Sequence, residues 1–223
     1  MSRILITICI SLLLASTSYA TVIGNWESGS TGDGWLGWSN GQTSIGASWP
    51  GTTTIGSVTY TQSTIGATLG SDSLQVTDTG WNQCLAAQLS PSQIATFMAD
   101  SKFSIDMSEP SSASIGHTGG GYSQLNVLYM NAPGAGWTQI SGASLEIDWW
   151  DGSPAQTKTL SVDYSAFKSL VTPNPSYVQI IFALNNGGGA PSTFYFDNAQ
   201  LTPEPATMAL LGLGGLALIR RKR

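Results

Sequence analysis

Tyr122–Met130, YSQLNVLYM, reads as a strand with Leu125, Val127 and Tyr129 on one face. Side chains on an extended chain point alternately to the two sides, so period-two apolar spacing marks a strand with one face in a core. Three more segments repeat the pattern. Lys102–Met107, KFSIDM, places Phe103, Ile105 and Met107 together; Leu145–Trp149, LEIDW, does so with Leu145, Ile147 and Trp149; Ser73–Thr77, SLQVT, with Leu74 and Val76.

Working outward, Val22–Glu27, Thr53–Thr61, Cys84–Leu89, Thr159–Val162, Tyr177–Leu184 and Thr193–Leu201 are further strand segments. Turn chemistry fills Gly29–Gly34, Gly116–Gly121 and Asn185–Ala190. Two short helices interrupt the series. Ser90-Pro91-Ser92-Gln93 offers a cap and a first-position proline ahead of Ile94, Phe97 and Met98. Asp163–Leu170 carries Tyr164, Phe167 and Leu170 at helical spacing. No fixed-period repeat is present, which argues against a propeller or solenoid. The expected fold is all-β, a β-sandwich in jelly-roll order with short helical insertions, over residues 21–202.

Both ends of the chain carry targeting signals. Arg3, the apolar Ile4–Leu14 and Ser18-Tyr19-Ala20 form a signal peptide over residues 1–20, with signal peptidase expected to cut after Ala20. At the other end, Pro203-Glu204-Pro205 leads into the apolar run Ala206–Ile219 and then Arg220, Arg221, Lys222 and Arg223. A terminal cation cluster resists translocation. The 14 apolar residues reach only about 21 Å as a helix, short of a bilayer core of about 30 Å, so the transmembrane helix 206–219 is a marginal anchor. The tail, residues 203–223, resembles the PEP-CTERM protein-sorting signal. That resemblance implies recognition by an exosortase-type membrane processing enzyme. The chain is then held at the inner membrane until processed, and afterwards passed to the cell surface or extracellular matrix of a Gram-negative-type bacterium.

Between the two signals, three lysines (Lys102, Lys158, Lys168) stand against twelve carboxylates, a net charge of −9. No basic patch exists to displace phosphate counterions, which excludes nucleic acid as a partner. Cys9 leaves with the signal peptide, and the remaining Cys84 cannot form an internal bridge; it is expected in a strand as a small hydrophobe. Without a Cys/His cluster, zinc and haem sites are excluded.

Gly24–Trp38, Gly70–Thr77 and Ser192–Leu201 are similar to the matching parts of galactose-binding-like jelly rolls, among them carbohydrate-binding modules. The resemblance implies a structural Ca²⁺ between the first and last strands, with Glu27 and Asp197 at the matching positions. Eight tryptophans lie between the signals. Sugar rings present flat apolar faces rimmed by hydroxyls, which suits an exposed indole beside amide or carboxylate partners. Trp149 shares the core phase of its strand, Trp26 is expected to pack on the closing strand, and Trp150 points away from Trp149. Trp35, Trp38, Trp81, Trp137 and Trp150 are therefore the candidate ligand contacts. No catalytic residue is assigned. His117 stands alone in a glycine-rich stretch, and Glu146 and Asp148 share a face without defining an acid and a base. The expected function is non-catalytic polysaccharide binding by an exported surface or matrix protein. A structural matrix component without a specific ligand is the alternative, and a glycan hydrolase stands behind both.

Overall fold

The computed structural model describes residues 20–27, 34–38, 42–77, 83–112, 119–140, 143–188 and 193–202. All but the last residue of the expected signal peptide 1–20, and the tail 203–223 with the expected helix 206–219, lie outside these residues. The strands, in chain order, are β1 (Thr21–Gly24), β2 (Trp35–Trp38), β3 (Gln42–Ser44), β4 (Thr53–Ile55), β5 (Val58–Ser63), β6 (Ser73–Thr77) and β7 (Gln83–Gln88). They continue with β8 (Lys102–Glu109), β9 (Gly120–Ala132), β10 (Gly136–Gln139), β11 (Ser144–Trp150), β12 (Gln156–Asp163), β13 (Gln179–Gly188) and β14 (Thr193–Thr202). Helix α1 spans Pro91–Ala99 and α2 spans Ser165–Lys168.

Among the described residues the strands form two seven-stranded antiparallel sheets. The first runs β12-β8-β14-β6-β5-β4, with β1 also on β14; the second runs β10-β9-β13-β7-β2-β3, with β11 also on β9. The result is an all-β sandwich whose chain changes sheet at most connections. Phe103, Ile105 and Met107 of β8, Leu74 and Val76 of β6, and Phe194 and Phe196 of β14 meet Leu125, Val127 and Met130 of β9 and Ile180, Phe182 and Leu184 of β13 in one buried cluster. Each such side chain contributes about 1.5–3 kcal/mol relative to exposure.

The alternation read from the sequence holds for β6, β8 and β11, and fails at one residue of β9. Phe182 pairs with Val127 but Ile181 pairs with Tyr129, so Leu128 is an extra residue in the ladder. This bulge resets the phase. Met130 takes the core position and Tyr129 turns to the opposite face, 36% exposed. The expectation that Tyr129 joins Leu125 and Val127 in the core is thereby corrected.

Both helices form where expected. Ser90 caps α1 in a capping box with Gln93, and Pro91 occupies the first turn. Phe97 stacks on Tyr164, ring centroids 4.1 Å apart, which ties α1 to the start of α2. Leu170 does not follow Tyr164 and Phe167 inward; it is exposed, because α2 ends at Lys168.

Candidate functional site

The face of the second sheet that points away from the core carries the chemistry. β9 supplies Tyr122, Gln124, Asn126, Tyr129 and Asn131 to it; β13 supplies Gln179, Ile181, Ala183, Asn185 and Gly187 in register beside them. The neighbouring strand β11 adds Ser144, Glu146, Asp148 and Trp150, opposite Asn126, Gln124, Tyr122 and Gly120. Strand β10 adds Trp137 and Gln139, opposite Asn131 and Tyr129. Ala86, Ile181 and Ala183, in the middle of the face, are buried beneath the surrounding side chains.

Two rows of amides cross this face. Asn131 Nδ2 donates to Gln179 Oε1 at 3.2 Å, and Gln179 Nε2 donates to Gln88 Oε1 at 3.0 Å. In the second row, Asn185 Nδ2 and Asn126 Nδ2 each donate to Gln124 Oε1 at 3.0 Å, and Gln124 Nε2 donates to Glu146 Oε2 at 3.2 Å. These bonds fix which end of each amide is donor and which is acceptor. A hollow of about 600 Å³ lies where the face meets α1, lined in part by Leu36, Ser44, Gln88, Ser90, Gln93 and Ser176.

Two of the five expected tryptophans stand exposed on this face. Trp150 is 53% and Trp137 51% exposed. The Trp137 ring meets Tyr129 edge-on, centroids 6.1 Å apart at 77°. From Gly120, opposite Trp150, to Asn131, opposite Trp137, β9 spans roughly 35 Å at about 3.3 Å per residue, with Tyr122 and Tyr129 between.

Trp35 is a correction. It is 2% exposed, donates Nε1–H to the Ile23 carbonyl at 2.8 Å, and packs between Trp26 and Phe182. The residues that follow the glycine- and aspartate-bearing turn Gly29–Gly34 form strand β2, whose pairing with β7 puts Trp35 in the core phase beside Ala87. A ring so enclosed offers no face to a ligand. Trp38 ends β2 in register with Cys84, but its side chain, like that of Cys84, lies outside the described residues, as do Trp81 and His117.

Glu27 and Asp197 both grip the segment 68–72 rather than share a site. Glu27 Oε1 accepts from the amides of Ser71 at 2.8 Å and Asp72 at 3.0 Å, which hold its carboxyl below the usual range. Asp197 Oδ2 accepts from the amides of Thr68 at 2.7 Å and Leu69 at 2.6 Å. Asp197 is fully buried, and burial pushes its carboxyl up against the pull of those amides. Asp106, opposite Asp197 in the ladder, takes the Thr68 hydroxyl at 2.7 Å and the Thr159 hydroxyl at 2.6 Å. A calcium ion needs six to eight oxygen lone pairs directed at it. Here the carboxylate oxygens are met by N–H and O–H donors, an arrangement that fits a loop clamp and not a calcium cage. Among the described residues no group of three or more His, Cys, Asp or Glu side chains gathers as metal ligands would.

Sequence reasoning missed Tyr122, Tyr129 and the amide rows. The signal was in the quoted stretch itself: the off-phase half of YSQLNVLYM, with Tyr122, Gln124 and Asn126, is the polar face of the strand whose apolar face was read.

Residues 201–223 match the PEP-CTERM protein-sorting motif. No curated protein matches the chain. Among solved structures, the sandwich is similar to a xylan-binding domain of carbohydrate-binding module family 22, with 16% identity over 83% of this chain and 93% of that one, TM-score 0.43. It is also similar to the CBM22-1 xylan-binding domain of Xyn10C from Paenibacillus barcinonensis (12%, 85% and 100%, 0.43). A third likeness is to CBM28, a module specific for non-crystalline cellulose (13%, 84% and 97%, 0.48).

Proposed function

We propose that this is an exported surface or matrix protein that binds polysaccharide without cleaving it, on the outward face of its second sheet. The observation that carries the reading is the conjunction on one sheet face of exposed Trp137, Trp150 and Tyr129 with two rows of oriented Asn and Gln side chains. Aromatic planes take the apolar faces of pyranose rings, and the accessible amides of Gln88, Gln124 and Asn126 exchange hydrogen bonds with the hydroxyl rims, while Asn131, Gln179 and Asn185 are buried and orient them. The jelly-roll reading of the sandwich, its strands alternating between two sheets, agrees with this placement of a site on a face rather than in a closed pocket.

The sorting motif supplies the destination. An apolar tail ending in four cations suits a temporary hold at the inner membrane, followed by processing by an exosortase-type enzyme and release to the surface or matrix. Cleavage of residues 1–20 by signal peptidase precedes it.

The test is titration of the purified protein with soluble polysaccharides, followed by tryptophan fluorescence and calorimetry. Saturable binding is expected with at least one glycan class. Trp137→Ala and Trp150→Ala should each weaken it about tenfold. Binding that survives loss of both rings, or no response across a broad panel, would return the protein to the structural alternative.

A further inference from the structure

Gly187 of β13 stands directly opposite Tyr122 of β9 on the outward face. A Cβ added to Gly187 would lie 2.5 Å from Tyr122 Cζ and 2.8 Å from its hydroxyl oxygen, and closer still to Cε1. Those three atoms of one tyrosine are the nearest neighbours of that position. The backbone makes no demand for glycine, since Gly187 is not among the residues of positive φ. Glycine within a strand weakens it and marks a place where another group comes close to the backbone. Here that group is the Tyr122 ring, which lies over the neighbouring strand instead of standing out from its own.

We propose that Gly187 is the seat of Tyr122, holding the ring across β13 as a fixed stacking platform near the Trp150 end of the polysaccharide face. The role rests on the binding function proposed above. Trp137 and Trp150 sit on the outer strands and are more than half exposed. Tyr122 is half-buried between β11 and β13, with Asp148 on one side and Gly187 on the other. Two residues along, Asn185 Nδ2 bonded to Gln124 Oε1 provides amides beside the ring. A sugar stacked on Tyr122 would have its hydroxyl edge toward Gln124, the accessible member of that pair, which the buried Asn185 orients. A ring already held in place loses little freedom when a ligand settles on it, which is how a platform adds affinity. Gly187 itself touches no ligand; it is a positioning residue.

A double-mutant cycle tests the seat. Gly187→Ala should lower affinity about tenfold, comparable to Tyr122→Ala, because the methyl displaces the ring. Thermal stability should barely change, since the ring can move into solvent. In the Tyr122→Ala background, adding Gly187→Ala should cost no further affinity. NMR of ring-labelled tyrosine reads the seat without ligand: Gly187→Ala should shift the Tyr122 ring signals and leave Tyr195 and Tyr60 in place. Equal losses from Gly187→Ala in both backgrounds, or unmoved Tyr122 signals, overturn the proposal. Wild-type affinity in Tyr122→Ala, with binding still lost on Trp137→Ala, overturns the platform and spares the binding function. A wild-type protein that binds no glycan removes both.

Discussion

Glu109 occupies a core position. It follows Phe103, Ile105 and Met107 in inward phase on β8, is 1% exposed, and accepts the Ser123 hydroxyl from the other sheet at 3.2 Å. Burial is the main cause that pushes its carboxyl from 4.5 up to about 7, against the smaller pull of Ser123. The folded state therefore holds this proton more tightly than the unfolded chain. Its contribution to stability is fully present below about 4.5 and is lost as pH rises through about 7. Burial raises Asp100 and Asp197 in the same direction. Glu27 and Asp163 are lowered, by backbone amides and by the Ser165 hydroxyl respectively, and act oppositely, on acidification below the ordinary carboxylate range. Thermal midpoints should thus fall between pH 5 and pH 8, and Glu109→Gln should flatten that slope; an unchanged slope would locate its origin elsewhere. At this scale legibility was uneven. Trp149 and Trp150 could be separated because adjacent residues of a regular strand must face opposite ways. Tyr129 could not be placed, because one inserted residue at Leu128 reverses every assignment beyond it and leaves no mark in composition. Trp35 was misread because its glycine and aspartate neighbours suggest a loop, whereas pairing with β7 decides its face.

The segment between β5 and β6 shows how an element is held from outside. Amides of Thr68, Leu69, Ser71 and Asp72 all end on carboxylates supplied by Glu27 and Asp197, residues remote in sequence. Asp197→Ala would leave the Thr68 and Leu69 amides without their acceptor, and stability should drop by about 2 kcal/mol. Because protein donors already occupy these oxygens, chelators should leave the thermal midpoint of the wild-type protein where it was. A calcium-dependent midpoint would contradict the clamp. Helix α1 was readable from local signals, Ser90, Pro91 and Gln93, whereas Thr53–Thr61, expected as one strand, folds back at Gly56 into the β4–β5 hairpin. Nor were the amide rows readable. Asn131, Gln179 and Gln88 come from three strands, and nothing local states that β9, β13 and β7 lie side by side.

Charge acts on the whole molecule. Only three lysines lie between the two targeting segments. Lys102 and Lys158 lie on the first sheet and Lys168 on α2, with Lys158 Nζ reaching no further than the Glu146 carbonyl at the rim. The binding face itself carries Glu146 and Asp148. Uncharged glycans should accordingly bind with little dependence on salt, while polyuronates should bind poorly in low salt and improve as salt screens the repulsion. Tight, salt-weakened binding of a polyuronate would contradict this. The pairing of β1 with β14 sets Thr21 opposite Leu201, so the chain enters the sandwich, and leaves it toward the sorting tail, at one pole. β14 is an interior strand of the first sheet, flanked by β8 on one side and by β6 and β1 on the other. A tug on the tail is thus shared across two ladders of backbone bonds loaded in shear, on the sheet that does not carry the proposed binding face. Moored there, the protein can be pulled through one sheet while the proposed binding face lies on the other.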